Sequence, residues 1–170
     1  GDGIEVNKKE AARYFKMSVD KGDSDAMYQY GLMLKDGDGI EVDKKEAARY
    51  FKMSADKGDR DAMYKYGFML KDGDGIEVNK KEAARYFKMS ADKGDRDAMY
   101  NYGLMLDNGD GIEVDKKEAA RYYKMASDKK NIDAMYKYAH MLERGIGVPR
   151  NMAEARKILM EADFYSNLFR

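Results

Sequence analysis

Ala26-Met27-Tyr28-Gln29-Tyr30-Gly31-Leu32-Met33-Leu34, then Gly37-Asp38-Gly39-Ile40, then a run from Asp43 through Lys44, Lys45, Glu46 and Ala47 to Ser54 and Ala55, form the unit that decides the fold. The Gly-x-Gly signal returns at Gly37, Gly73, Gly109 and Gly145 after a first copy at Gly1, a constant spacing of 36 without insertions. A fixed period of this length is the mark of a repeat architecture. In the first segment Met27, Tyr30, Gly31 and Leu34 fall on one helical face, and in the last Ala47, Tyr50 or Phe51, Ser54 and Ala55 do the same. We call these helices A and B.

Each helix carries its own start and stop. Asn7, Asp43, Asn79, Asp115 and Asn151 can cap helix B, each with a Glu three residues on, which predicts a capping box. Asp23, Asp59, Asp95 and Asn131 are the matching caps of helix A. Gly22, Gly58 and Gly94 suit the left-handed position that ends helix B, while the fourth copy has Lys130 there, so that turn is expected to be strained or differently closed. Gly31, Gly67 and Gly103 inside helix A each cost roughly 1 kcal/mol against Ala. Such glycines imply a crossing too close for a Cβ, which Ala139 should be the first to relax.

One helix pair cannot bury both of its apolar stripes, so pairs must stack. The expected fold is all-α, a right-handed α/α superhelical solenoid of 36-residue helix-turn-helix repeats. It is read as a single repeat domain over 1–170. Residues 1–22 form a leading half repeat with helix B starting at Asn7, and the helix pairs lie at 23–58, 59–94, 95–130 and 131–162. An apolar cap or tail occupies 163–170, with Phe164, Tyr165, Leu168 and Phe169.

Composition narrows the chemistry. Lys+Arg and Asp+Glu both total 32, so no whole-molecule attraction to nucleic acid is expected. With no Cys and one His, disulfide scaffolds, thiol catalysis and Cys or multi-His zinc sites are out of reach. No apolar run approaches a membrane span, and the start has no secretory pattern, which together suggest a cytoplasmic chain with no membrane insertion. The stretch Asp36-Gly37-Asp38-Gly39-Ile40 resembles part of a calcium loop, but Lys45 and Leu34 stand where an EF-hand needs carboxylates. Gly37-x-Gly39 lacks the third glycine of a dinucleotide fingerprint. His140 has Leu, Phe and Leu at its sister positions, so a surface histidine is the expectation rather than a base. No cofactor, metal or catalytic residue is assigned.

These registered motifs resemble the Sel-one-like repeat (SLR) family, relatives of the tetratricopeptide repeat. The matching residues are Ala26, Gly31 and Leu34, the loop Gly37-Asp38-Gly39-Ile40, and Ala47, Tyr50, Phe51, Ser54, Ala55 and Gly58. Departures are Tyr30, Tyr66 and Tyr102 where the family usually has Leu, and Leu34, Leu70 and Leu106 where it often has Tyr. The resemblance implies an adaptor or scaffold whose concave surface is lined by the A helices. The absence of Cys separates the chain from secreted, disulfide-stapled members.

With Met27, Tyr30, Gly31 and Leu34 packed inward, Asp25, Tyr28, Gln29, Leu32, Lys35 and Asp36 are left for the inner curve. Residues 37–72 and 73–108 differ at only five positions: Asp43/Asn79, Lys65/Asn101, Phe68/Leu104, Lys71/Asp107 and Asp72/Asn108. Four of these five lie on that curve, which marks it as the surface where copies diverge. A partner-binding groove is therefore expected at Tyr28, Gln29, Leu32, Tyr64, Lys65, Phe68, Lys71, Tyr100, Asn101, Leu104, Asp107, Tyr136, Lys137 and His140. It would take a protein or peptide segment. Self-association through exposed repeat ends or the tail is a further expectation, with the tail inserting into a groove. Against this stands the plainer reading that the tyrosines cover the core and outer positions drift. Two other functions fit as well: a regulatory or localisation module of a larger signalling protein such as a kinase, and an engineered or recently duplicated array.

Overall fold

Short polar residues set the helix boundaries of this computed structural model, which describes the backbone of residues 2–168 and side chains from Asn7 onward. The Asp23 carboxylate accepts from the N–H groups of Asp25 and Ala26, and Asn131 accepts from Ala134 at 2.8 Å. Asp43, Asn79, Asp115 and Asn151 accept from the N–H three residues on at 2.9–3.0 Å. The helices are α1 (Asp2–Asp20), α2 (Ser24–Asp36), α3 (Lys44–Asp56), α4 (Arg60–Asp72), α5 (Lys80–Asp92), α6 (Arg96–Asn108), α7 (Lys116–Asp128), α8 (Ile132–Arg144) and α9 (Met152–Leu168). There is no strand among the described residues. The chain is an all-α solenoid of helix-turn-helix repeats in which even-numbered helices are A and odd-numbered ones B. Two compact units, Gly1–Tyr86 and Phe87–Arg170, divide it within α5. Gly1 of the first Gly-x-Gly and Phe169 of the tail lie outside the described residues.

The capping box forms only in part. The cap N–H that a Glu side chain was to take is already used: Asp43, Asn79, Asp115 and Asn151 donate it to the carbonyls of Leu34, Leu70, Leu106 and Leu142 at 2.8–2.9 Å. That bond ties the loop back onto helix A. Glu46, Glu82 and Glu118 turn outward instead to Arg49, Arg85 and Arg121.

The first helix departs from this pattern. Asn7 was expected as an N-cap, yet α1 begins at Asp2 and runs through it. Asn7 therefore lies inside a helix and not at its start.

In the first unit, Val19, Met27, Leu34, Ala47, Tyr50, Phe51 and Met69 form a core, with Phe15, Tyr30, Ile40 and Tyr66 packed against it. Helix A buries a wider arc than the sequence suggests. Ala26 and Met33 are buried beside Met27, Gly31 and Leu34, whereas Tyr30 is half-buried on the flank. Its ring meets Tyr50 edge-on at 5.0 Å, as Tyr66 meets Tyr86 at 4.8 Å. The Tyr86 hydroxyl reaches Asp56 at 3.2 Å, and Asp56 also holds Lys52 at 2.7 Å, so this flank joins successive B helices. In the second unit Tyr102 meets Tyr122 at 4.7 Å, and the Tyr122 hydroxyl donates to Asp92 at 3.4 Å.

Two close approaches fix the packing. A Cβ on Gly31 would lie 2.9 Å from the Phe51 ring, and one on Gly103 would lie 2.9 Å from Tyr123. At the fourth copy Ala139 is fully buried, and Leu159 stands where the ring would be. The second loop glycine sits against the helix B before it. A Cβ on Gly75 would come within 2.5 Å of Lys44 Cβ, and one on Gly147 within 2.1 Å of the Lys116 carbonyl oxygen.

The C-terminal end also departs from expectation. α9 is one unbroken helix to Leu168, with Met160, Phe164 and Leu168 exposed, so the described part of the tail does not enter a groove of its own chain. Tyr165 lies under Lys130, whose Nζ is 5.2 Å from the ring centroid. Tyr14 and Met17 of α1 are exposed as well.

Lys130 resolves the question of the fourth turn. It adopts the glycine conformation at φ 64°, donating to the Ser127 carbonyl at 2.8 Å, while Asn131 donates to Ala126 at 3.0 Å. The closure is unchanged and the strain is borne by a side-chain-bearing residue, at about 1–2 kcal/mol. Lys130→Gly is expected to stabilise the chain by about 0.5–1 kcal/mol in urea titration, because the strain relieved exceeds glycine's extra unfolded-state entropy. Gly103→Ala is expected to destabilise by about 1–3 kcal/mol, and a cycle with Tyr123→Leu should recover about 1 kcal/mol as coupling. Additive costs would mean that the ring is not what excludes the methyl group.

Candidate partner-binding groove

The i, i+4 spacing on α4 places Tyr64 and Phe68 on one face, where their rings meet edge-on at 5.0 Å and 76°. Lys71 reaches over Phe68 with its Nζ 4.8 Å from the centroid. On α2, Tyr28 leans on Phe51 at 5.7 Å. Between α2 and α4 a cavity of about 360 Å³ opens, lined by Lys35, Phe51, Tyr64, Lys65, Phe68, Met69, Asp72 and Asp74. Its floor, Phe51 and Met69, is buried, while Tyr64, Lys65 and Phe68 are half-buried walls.

Three expected groove residues, Tyr64, Lys65 and Phe68, thus meet in one concavity, joined by Lys35 and Asp72 of the proposed inner curve. Lys71 backs the Phe68 ring. Tyr28 and Leu32 are half-buried and pack against the core, and Gln29 is exposed. Phe51, Met69 and Asp74 were missed. Phe51 was legible only as one of two candidates for the helix B core, and the signal that could have found it is its register with Gly31, whose missing Cβ it fills.

In the second unit the same positions behave differently. Tyr100 is half-buried against Tyr123, with centroids 6.0 Å apart, and Leu104 and Asp107 are half-buried. Asn101, expected as an adaptable contact, is 8% exposed and donates to the Asp97 carbonyl at 2.8 Å. Its amide is spent within its own helix because it is short enough to fold back one turn, which Lys65 does not do. Asp107 accepts from Lys116 at 2.6 Å and from the Tyr123 hydroxyl at 3.3 Å. Tyr136 is exposed and donates to Asp163 of α9 at 2.7 Å, with Lys137 and His140 exposed beside it.

Burial raises the pKa of Tyr100, and of Tyr123 far more, with the Asp133 carboxylate adding to the first and Asp107 to the second. Tyr66, Tyr86, Tyr102 and Tyr122 on the other flank are raised by burial too. Among the described residues no cluster of carboxylates or histidine could hold a metal ion. The loop aspartates serve packing: Asp38 pairs with Lys8 at 2.5 Å and Asp74 with Lys44 at 2.7 Å.

The Sel1 repeat profile matches this chain at 1–23, 24–59, 60–95, 96–131 and 132–159. The chain belongs to the Sel1 repeat family. Sel1 repeats are non-catalytic scaffold repeats that generally mediate protein–protein interactions. Among solved structures, the chain is similar to a Sel1 repeat protein from Oxalobacter formigenes, at 26% identity and a TM-score of 0.86, covering 91% of this chain and 64% of that one. It is also similar to a protective antigen present in uropathogenic Escherichia coli strains displaying an SLR fold, at 24% identity and a TM-score of 0.90, covering 92% of this chain and 34% of that one. Helicobacter pylori cysteine-rich protein B aligns at 18% identity and a TM-score of 0.61, over 79% of this chain and 97% of its own. The chain therefore spans less than two thirds of the first two structures. No curated protein sequence matches it. No described helix of this Sel1 repeat chain is long and apolar enough to cross a membrane.

The tyrosine shifts fix an alkaline limit. A phenol whose folded pKa lies above its ordinary 10.0 contributes stability below that value and loses it as pH rises through the folded value. The melting temperature is expected to fall above about pH 10, and less steeply in Tyr123→Phe. A fall of equal slope in that variant would show that burial of this phenol is not the cause.

Proposed function

We propose that this Sel1 repeat chain is an interaction scaffold that seats a peptide or protein segment along its A helices, with the cavity between α2 and α4 as the main anchor. The supporting observation is the cavity itself: a buried floor of Phe51 and Met69, half-buried aromatic walls in Tyr64 and Phe68, and lysines at the rim. A concave apolar site with a few placed polar groups is what a segment needs in order to insert an anchor side chain. Tyr64 and its sister tyrosines supply ring area and a hydroxyl at low entropic cost. Lys65, Phe68, Lys71 and Asp72, which differ from their counterparts 36 residues on, give this repeat its own surface around the shared tyrosine.

The test uses peptides selected from a random display library against the full chain. Phe68→Ala and Tyr64→Ala are expected to weaken a selected peptide by about tenfold or more, with Tyr100→Ala as the companion variant in the second unit. Their melting temperatures should stay within about 2–4 °C of the parent, the shift for about 1 kcal/mol in a chain of this length. Unfolding on substitution, with unchanged affinity in whatever remains folded, would return these tyrosines to a purely structural role.

A further inference from the structure

The charges around this cavity are not equivalent, and the difference bears on what the groove selects. Asp74 is held by Lys44 of α3 at 2.7 Å. Lys35 reaches its neighbour Asp36 at 3.4 Å, and Asp72 has Lys71 at 3.8 Å. Lys65 differs from all of these. It lines the cavity half-buried and has no ion-pair partner among the described residues. A segment that fills the cavity with apolar atoms alone strips water from this ammonium without replacing it, which is unfavourable. A cationic neighbour would add repulsion. A carboxylate would restore the lost solvation with a charge-assisted bond in partly desolvated surroundings.

The apolar part of the ligand is constrained as well. Phe51, Tyr64 and Phe68 present ring faces and edges, and Met69 adds a polarizable thioether to the floor. Aromatic rings pair edge-to-face or offset, and sulfur favours ring edges, so a bulky ring satisfies more of this lining than a small aliphatic group. Lys71 already occupies a position over Phe68, leaving the cavity side of that wall for the incoming group.

Resting on the groove reading above, we propose that the cavity between α2 and α4 selects peptide segments in which a bulky apolar side chain, aromatic above all, lies next to a carboxylate that pairs with Lys65. The ring enters beside the Tyr64–Phe68 pair and onto Phe51 and Met69. The carboxylate stays at the rim. Asn101, buried and bonded to its own helix at the matching position of α6, offers no such cation, so the preference does not extend to that repeat.

Random peptides displayed on phage and selected against the full chain test this directly. Enriched sequences are expected to carry Phe, Tyr, Trp, Leu or Met within two residues of Asp or Glu. In a synthetic copy of an enriched peptide, replacing the acidic residue by Lys should weaken binding by about five- to tenfold. Lys65→Glu, a surface change whose melting curve should match the parent, is expected to reverse that order and favour the Lys-bearing peptide. Enriched peptides that depend on Phe68 but ignore both charge changes would overturn this inference and leave the groove reading standing. Failure to enrich any peptide, or enrichment of peptides indifferent to both Phe68→Ala and Lys65→Glu, would overturn both.

Discussion

The arrangement rests on a loop glycine pressed against the helix B of the repeat before it. At Gly75 and Gly147 a side chain would collide with Lys44 and Lys116 at the start of that helix, so only glycine lets the loop approach this closely. The cap N–H bonded back to the leucine carbonyl fixes the other end of the same loop. Together these contacts hold both the hairpin and its offset from its neighbour. The spacing between α2 and α4, and hence the width of the cavity, follows from them. Ion pairs such as Lys44 with Asp74 lie on top of this contact and, being exposed, contribute little by themselves.

Once the offset is fixed, the two flanks of helix A take separate tasks. Tyr30, Tyr66 and Tyr102 turn toward helix B and meet Tyr50, Tyr86 and Tyr122 edge-on, and the hydroxyls of these partners bond Lys16, Asp56 and Asp92 of the helix B before them. Tyr28, Tyr64 and Tyr100 turn the other way and remain half-buried. Two residues apart on a helix, the tyrosines of each pair cannot share a face. One set packs on the tyrosines of helix B, and the other on Phe51, Phe68 and Tyr123.

Much of this was legible in the sequence because it is local. Cap residues, the period and the small residue at Gly31 each act through contacts a few residues away or repeated in register. What escaped depends on which competing partner arrives first. The capping-box glutamates lost their cap N–H to a carbonyl of the preceding helix. Lys130 shows the reverse: the sequence marked a difficulty, and the three-dimensional closure proved strong enough to force a lysine into a glycine's conformation. Cavity members Phe51 and Asp74 come from a different helix or loop than α4, so a pattern read along one helix could not include them.

The exchange of Lys65 for Asn101 shows how such an array diversifies without disturbing its core. Both residues start from the same helical position. The shorter amide reaches the Asp97 carbonyl and is buried, whereas the lysine keeps its stem along the cavity wall and its ammonium without an acidic partner. Neither choice alters the glycine contacts or the cap bonds that set the repeat offset. A change of one side chain therefore switches a rim position from silent to charged while the stacking that creates the rim stays the same. Surface chemistry at this position can vary repeat by repeat because the packing is decided elsewhere in the unit.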